Sequence, residues 1–117
     1  MDFTETHQVV VNVGYGRGPE MASRLEANNI ICNYQATPDQ EGFTASGGLR
    51  MGVSEMTRFG MEEEDFKALA SLIGDVVLND SNVIEKVKGL RAQFRELRFC
   101  FREEQSSEIW NRLRSLI

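Results

Sequence analysis

The chain has 117 residues, which is long enough for one domain with a real hydrophobic core. Its apolar fraction of 41% is ordinary for a soluble globular protein. The net charge of −5 argues against a nucleic-acid-binding surface, which would need clustered lysine and arginine with little opposing acid. We therefore expect a single globular domain that has no nucleic-acid partner.

The two cysteines indicate neither a zinc site nor a disulfide framework. Cys32 and Cys100 are far apart in sequence, and His7 is the only histidine, so a structural zinc ion would lack ligands. Each cysteine falls in an apolar run, and we expect two buried, reduced thiols. No apolar leader opens the sequence and no apolar run approaches membrane-spanning length. We therefore expect a cytoplasmic protein with no membrane partner.

The first third of the chain predicts a strand, a helix and a second strand. The β-branched run over residues 9–13 predicts a strand that is buried on both faces. Glycines at 14, 16 and 18 break it, and Pro19 suits the first turn of a helix over residues 19–28. Residues 30–34 predict the second strand. If the two strands are parallel, the helix between them should form a right-handed crossover.

The rest of the chain predicts one more strand and then helices. A long polar connection over residues 35–46 leads to a strand over residues 48–53. A helix over residues 61–79 has acids in its first turn, where the helix dipole favours them. Asn82 with Glu85 resembles a capping box that starts the next helix.

Two further helices are predicted for the C-terminal part. From residue 83 to 101, apolar residues recur at alternating spacings of four and three, which is typical of a seam that packs on the domain or on a partner helix. Residues 105–107 interrupt this pattern, and a last helix carries an apolar set: Ile109, Trp110, Leu113, Leu116 and Ile117.

This order of elements predicts the fold class α+β. We expect a small two-layer sandwich with a sheet of three strands, or alternatively four, and helices packed on it. No linker divides the chain, so residues 1–117 are expected to form one domain. Within it, residues 6–80 would form the sheet-and-helix core and residues 82–117 the C-terminal helices.

Several familiar site patterns are absent or incomplete. The glycines at 14, 16 and 18 follow a strand, but their spacing is wrong for a dinucleotide-binding G-x-G-x-x-G motif, and no acid ends the second strand. Ser46 is not part of a G-x-S-x-G elbow, so no acyl-transfer triad is indicated. The acids at 62–65 are consecutive and would point in different directions, so a helix start explains them better than a metal site.

Arg50 is the strongest candidate site residue. It follows Gly47 and Gly48, which allow a close approach of backbone or ligand. Its planar guanidinium is a bidentate donor suited to a carboxylate or a phosphate. The residues alone leave open whether Arg50 binds such an anion, forms a structural ion pair or is merely solvated.

The stretch around Arg50 resembles part of a known family. The residues that carry the resemblance are 46–53 (Ser-Gly-Gly-Leu-Arg-Met-Gly-Val), 56–61 (Met-Thr-Arg-Phe-Gly-Met) and 63–66 (Glu-Glu-Asp-Phe). Upstream, residues 6–11 (Thr-His-Gln-Val-Val-Val) and 24–33 (Arg-Leu-Glu-Ala-Asn-Asn-Ile-Ile-Cys-Asn) extend it in the same order. Together they resemble the C-terminal domain of serine (glycine) hydroxymethyltransferases over about residues 6–78.

The resemblance implies a pyridoxal-phosphate-dependent transferase of fold type I. Such enzymes interconvert serine and glycine with tetrahydrofolate as the one-carbon carrier. It also implies that Arg50 binds the substrate α-carboxylate, with Ser46, Gly47 and Gly48 as possible site neighbours. The family usually has an arginine directly before the glycine of the following turn. Phe59 occupies that place here, so the resemblance assigns no role to Arg58.

The resemblance covers only a small domain of such enzymes. The large domain, with the lysine that binds pyridoxal phosphate, has no counterpart here, and none of the lysines at 67, 86 and 88 lies in a cofactor-binding motif. We therefore expect no bound cofactor and no activity from this chain alone. Its partner would be the missing large domain, or a second copy in a homodimer. Two alternatives stay open: a non-catalytic binding module that retains this fold, and the small domain of another fold type I amino-acid enzyme.

Overall fold

The protein contains a three-stranded antiparallel sheet. The structure, a computed structural model, describes residues 6–37, 45–99 and 103–117. Strands β1 (Gln8–Asn12) and β2 (Asn33–Gln35) both pair with β3 (Gly48–Gly52), which lies between them in the order β1-β3-β2. Because both pairings are antiparallel, β1 and β2 run parallel to each other, as the crossover prediction required.

Five helices complete the described part of the chain. They are α1 (Gly18–Ala27), α2 (Ser54–Arg58), α3 (Glu63–Asn79), α4 (Ile84–Ala92) and α5 (Glu103–Ser115). The predicted fold class, an α+β arrangement of a sheet with helices packed on it, is confirmed. The three-stranded alternative is the one found in residues 6–37, 45–99 and 103–117. The short helix α2 was not predicted, because five residues are too few to show a helical apolar period.

Helix α1 begins and ends where the sequence predicts, within one residue. The Arg17 amide donates to the Gly14 carbonyl at 3.0 Å, which closes the glycine turn before the helix. At the other end Asn29 has a φ of 64°, in the left-handed region that stops helices. The Ile30 amide then donates back to the Leu25 carbonyl at 2.9 Å, so the chain leaves the helix through a hydrogen-bonded turn.

The core lies between the sheet and three helices. Its buried side chains come from α1 and the turn after it, from β3 and α3, and from the region of α4: Met21, Ala22, Leu25, Ile30, Leu49, Val76, Val83 and Val87. Helix α1 packs on β2, β3 and α3, and α3 packs on α4. Around this centre lie half-buried apolar side chains: Val13, Cys32, Leu69, Leu72, Ile73 and Val77. The helix predicted over residues 61–79 therefore packs apolar side chains against the core.

The predicted burial of the first strand is wrong. Val9, Val10 and Val11 are 39%, 42% and 40% exposed. The reason is topological, because β1 is an edge strand and the packing of α1 is on β2 and β3. A continuous apolar run is buried only when another element packs on it. The described helices pack on β2 and β3 instead, so the valines of β1 stay exposed.

The long helix predicted from residue 83 to 101 is also wrong. Helix α4 ends at Ala92, and the chain then turns back, so that the Arg98 amide donates to the Arg58 carbonyl at 2.8 Å. The Arg91 guanidinium lies 4.5 Å from the centroid of the Phe59 ring, a cation–π contact at the turn. These tertiary contacts form where the predicted helix would have continued. Residues 100 and 101 lie outside the described residues.

The predicted acidic first turn of α3 is confirmed, whereas the predicted break at residues 105–107 is wrong. The Glu62 amide donates to Asp65 Oδ2 at 2.8 Å in a capping box at the start of α3, consistent with the predicted acidic first turn. The interruption predicted at 105–107 does not occur, since α5 runs through it. Ser107 Oγ donates to the Glu103 carbonyl at 3.0 Å, so this hydroxyl is satisfied within the helix.

The thiol and membrane predictions are tested only in part. Cys32 is free and half-buried beside the core, rather than fully buried. Cys100 lies outside the described residues. None of the helices in the described ranges combines the length and the apolar character needed to cross a membrane.

Candidate functional site

Arg50 lies at the centre of the sheet, on the face that α1 leaves open. Its neighbour Leu49 is fully buried in the core cluster, which includes Met21 and Leu25 of α1. Because side chains alternate along a strand, Arg50 points to the opposite face of β3.

The neighbours of Arg50 on this face follow from the strand register. Val10 of β1 and Asn33 of β2 lie directly opposite it, so their side chains share its face, with Cβ atoms about 5 Å away. Both are exposed, whereas Arg50 itself is half-buried. Within residues 6–37, 45–99 and 103–117, no carboxylate lies within 4.0 Å of the Arg50 guanidinium. The structural ion pair that the residues left open is therefore not found there.

The residues before Arg50 join the sheet to the start of α1. The Ser46 carbonyl accepts a hydrogen bond from the Gly18 amide, and the Gly47 carbonyl accepts one from the Val13 amide, both at 2.8 Å. A Cβ on Gly18 would lie 2.5 Å from the Ser46 carbonyl oxygen. Ser46 and Gly47 thus bind backbone, and they precede the strand that carries Arg50.

Gly48 shares the face of Arg50 and is covered by two side chains. A Cβ on Gly48 would lie 3.0 Å from Thr37 Cγ2 and 3.1 Å from Val10 Cγ1. Thr37 is therefore on the same face, at the edge of the Arg50 neighbourhood. Its hydroxyl is buried and has no hydrogen-bond partner in the described part of the chain.

Sequence reasoning missed the polar residues that β2 contributes to this face. Asn33 pairs with Arg50 and Gln35 pairs with Gly48, so both amides lie on the Arg50 side of the sheet. The side chains of β2 alternate between the two faces of the sheet, so the sequence does show that Asn33 and Gln35 share a face. Assigning that face to the Arg50 side requires the pairing register of β2 with β3, which the sequence does not show. Together with Arg50, the Asn33 and Gln35 amides form a surface of hydrogen-bond donors and acceptors suited to an anionic, polar ligand.

The lysines of the chain do not supply a cofactor-binding nucleophile at this face. Lys67, Lys86 and Lys88 are all exposed on α3 and α4. Hydrogen bonds to Glu64 and then Glu63 raise the pKa of Lys67, which keeps its amine protonated. Lys88 forms an exposed ion pair with Glu85 at 3.0 Å. A lysine that forms a Schiff base needs the opposite setting, one that lowers its pKa.

A metal site is likewise not formed in the part of the chain that the structure describes. No three histidine, cysteine, aspartate or glutamate side chains there are grouped to bind an ion. Arg58, to which the resemblance assigned no role, forms an exposed ion pair with Glu55 at 3.1 Å. Its carbonyl accepts the Arg98 amide, so the contacts of Arg58 are structural.

Comparison with known proteins gives a consistent set of relatives. No protein-family model matches the chain. The serine hydroxymethyltransferase of Methanothermobacter marburgensis is 39% identical over 88% of this chain and 25% of its own length. That of Methanopyrus kandleri is 38% identical over 95% of this chain, and that of Sulfolobus acidocaldarius is 33% identical over all of it. The chain spans about a quarter of the length of these relatives.

A solved structure agrees with the sequence relatives. The crystal structure of L-threonine transaldolase from Pseudomonas fluorescens in the internal aldimine state matches 93% of this chain with a TM-score of 0.73 and 27% identity. The match again covers 27% of the longer protein. The fold is thus that of the small domain of fold type I pyridoxal-phosphate enzymes. The chain belongs to the serine hydroxymethyltransferase family and corresponds to the C-terminal domain of its members.

Proposed function

We propose that this chain serves as the C-terminal domain of an enzyme that transfers one carbon between serine and tetrahydrofolate, with Arg50 binding the α-carboxylate of the amino acid. The observation that carries the proposal is the position of Arg50. It is half-buried in the central strand and faces away from α1, and no described carboxylate neutralises it.

A guanidinium in this position can bind and orient a carboxylate. Two parallel N–H donors match the two carboxylate oxygens, which fixes direction as well as distance. Gly52, which is exposed on the same face and where an added Cβ would come no closer than 3.5 Å to the His7 carbonyl oxygen, leaves room for a ligand beside the guanidinium. Orientation of this kind lowers the barrier by placing the reacting bond correctly before the reaction begins.

The described residues do not fit pyridoxal phosphate by themselves, because all three lysines are exposed and two of them, Lys67 and Lys88, form ion pairs with glutamates. When bound in a complete enzyme, that cofactor supplies the electron sink for amino-acid chemistry. We propose that the large domain supplies the cofactor and its lysine, and that the 117 residues act as one domain with residues 6–80 as its core and residues 82–117 as its C-terminal helices.

The exposed apolar surface supports a missing neighbour. Val9, Val10 and Val11 leave an apolar edge strand open to solvent, a composition that soluble proteins normally avoid. The Cα radius of gyration is 18.3 Å, against about 13 Å for a compact domain of this length. We propose that the large domain covers the β1 edge in the complete enzyme.

A second candidate function rests on the structural match. The transaldolase named for L-threonine has the same fold over this region, so the domain could serve another fold type I amino-acid enzyme. Arg50 would keep its role there, since both substrates carry an α-carboxylate. The two candidate functions differ in the side chain of the amino-acid substrate and in the molecule that accepts the transferred group. The large domain would also contact both of these.

A domain exchange tests the proposal. The matching C-terminal quarter of the Methanothermobacter marburgensis relative is replaced by this chain, and pyridoxal-phosphate absorbance verifies assembly. We expect the chimera to interconvert serine and glycine, and the same assay with L-threonine and an aldehyde acceptor tests the second candidate. A chimera that assembles and binds the cofactor but converts neither amino acid would contradict both.

A further inference from the structure

Helix α5 carries an apolar surface that the described part of the chain leaves uncovered. Ile109, Trp110 and Leu113 recur at helical spacing on one side, and we call them the α5 stripe. Trp110 is 61% exposed although it is the only tryptophan in the chain. The core cluster contains no α5 residue, and α5 is not one of the closely packed elements among the described residues.

The charges at one edge of the stripe are self-complementary. Glu103 and Arg114 are eleven residues apart, which in an α-helix places them within about 20° of each other around the axis. Both lie beside Trp110 on the same edge, Glu103 near the start of the helix and Arg114 near its end. Neither forms an ion pair with a residue of the described ranges. Each is therefore available to a partner that brings the opposite charge to the same edge.

We propose that the α5 stripe is an interface between two copies of this chain, which pair through antiparallel α5 helices about a two-fold axis. In such a pair, the edge of the stripe that carries Glu103 and Arg114 lies beside the same edge of the second copy. The two helices run in opposite directions, so the start of one edge lies beside the end of the other. Glu103 then lies beside Arg114 of the second copy, and the reverse contact forms by symmetry. The apolar residues and the charges favour the same register, since both are centred near Ile109 and Trp110.

The antiparallel direction follows from the charges of the whole helix. Its first half carries three acids and its second half two arginines: Glu103, Glu104, Glu108, Arg112 and Arg114. A parallel pair would place acids beside acids at the same height, whereas an antiparallel pair places each acidic half beside a basic half. Trp110, near the middle of the helix, would pack at the two-fold axis, where aromatic anchors contribute most to binding.

The size of the interface sets the expected affinity. A 13-residue helix is about 20 Å long, so a pair of such helices buries less than the roughly 1,200 Å² typical of stable complexes. We therefore expect a dissociation constant in the range of roughly micromolar to millimolar. This inference does not depend on the proposed enzymatic function and can fail or hold separately from it.

The first test measures self-association of the 117-residue chain. Sedimentation equilibrium from about 5 μM to about 1 mM is combined with fluorescence of Trp110, which should shift to shorter wavelength as the dimer buries the indole. Leu113→Arg should raise the dissociation constant about tenfold or more, because it places a charge in the apolar stripe. The matched control is Leu78→Arg, which changes an exposed leucine of α3 and should leave the association unchanged.

The second test exchanges charges across the proposed contact. Glu103→Arg and Arg114→Glu should each weaken the homodimer about threefold to tenfold, since each replaces two attractive contacts by two repulsive ones. The double variant E103R/R114E should restore the original affinity. An equimolar mixture of the two single variants should form a heterodimer, because every contact in it is again between opposite charges. Circular dichroism checks that each variant is folded.

Four outcomes would overturn the proposal. One is a chain that stays monomeric throughout the concentration range. Another is a dimer whose affinity is unaffected by Leu113→Arg and by the single charge reversals, because the chain would then associate through another surface. The third is a dimer that the charge reversals weaken but the double variant does not restore, which would exclude the antiparallel register. Binding of α5 to a cofactor-bearing large domain in place of a second copy would also count against it.

Discussion

The side chain of Asn28 connects the end of α1 to the start of α4 by accepting a hydrogen bond from the Val83 amide at 2.8 Å. Its Nδ2 donates to the Arg24 carbonyl at 2.9 Å, so both ends of the amide are used. The two residues are 55 positions apart, and Val83 is buried in the core. One side chain thus satisfies a part-buried backbone donor at a helix start and joins the end of one helix to the start of another.

Asn28→Ala should destabilise the protein through this contact. The substitution leaves the Val83 amide without its partner at a part-buried site, which costs about 1–3 kcal/mol. We expect a corresponding fall in the urea midpoint with an unchanged denaturant slope. Asn111→Ala, at an exposed position of α5, is the matched control and should change stability by less than about 0.5 kcal/mol. Equal effects of the two substitutions would show that the Asn28 contact contributes nothing.

Two glycines should respond to alanine in opposite directions. In Gly18→Ala the new Cβ would lie 2.5 Å from the Ser46 carbonyl oxygen and 2.9 Å from Tyr34 Cβ, so backbone must shift. We expect a loss of stability of about 1–3 kcal/mol. Gly89→Ala, in the interior of α4, meets no atom within 4 Å among those described and should stabilise the protein by about 0.5–1 kcal/mol. Thermal unfolding of both variants tests this, and a stabilised Gly18→Ala would contradict the close packing of α1 on β3.

The thiol of Cys32 should be protected from alkylation in the folded protein, and its contribution to stability should depend on pH. Burial raises the pKa of the Cys32 thiol above its ordinary value. The folded state therefore retains the thiol proton at a pH where the unfolded chain loses it. The contribution of the protonated Cys32 thiol to the stability of the fold is complete below the ordinary cysteine pKa. It is lost as the pH rises above that value. In a Cys100→Ser background, alkylation by iodoacetamide at pH 8 should be at least about tenfold slower in the folded protein than in urea. Equal rates would contradict this.

The local signals in the sequence predicted the ends of α1 and α3 well, whereas the capping box predicted from Asn82 and Glu85 is wrong, because Val83 is the N-cap of α4 and has no side-chain cap. Asn29 and Asp80 both have positive φ at the positions where α1 and α3 end, and the acids at 62–65 form the capping box of α3. Such signals succeed because the capping interactions lie within four residues along the chain. Arg50 was identified for a similar reason, since Gly47 and Gly48 lie within three residues of it in the chain.

Features that depend on distant contacts could not be predicted. The exposure of β1 depends on which strands α1 covers, and the end of α4 depends on the backbone contact between Arg58 and Arg98. Asn33 and Gln35 join the Arg50 face only through the register of β2 with β3. In each case the interaction that determines the structure joins residues that are far apart in sequence. The periodicity of one segment does not predict such an interaction.

The isolated chain should not form a specific adduct with pyridoxal phosphate. Lys67, Lys86 and Lys88 are exposed, and the pKa of Lys67 is raised, so none is a selective nucleophile. After incubation with the cofactor and reduction by borohydride, mass spectrometry should show only low, scattered labelling. Stoichiometric labelling of a single lysine, with an internal-aldimine absorbance, would contradict our account of the chain as part of a larger site.

The most direct test of the central proposal is Arg50→Lys in the domain-exchange chimera. Lysine keeps the charge but loses the bidentate geometry, so the variant should still bind the cofactor while its kcat/KM for serine falls about 100-fold. Arg58→Lys, at the exposed ion pair with Glu55, is the matched control and should leave kcat/KM unchanged. A chimera whose kcat/KM is the same with lysine or arginine at position 50 would contradict the assignment of Arg50 to the substrate carboxylate.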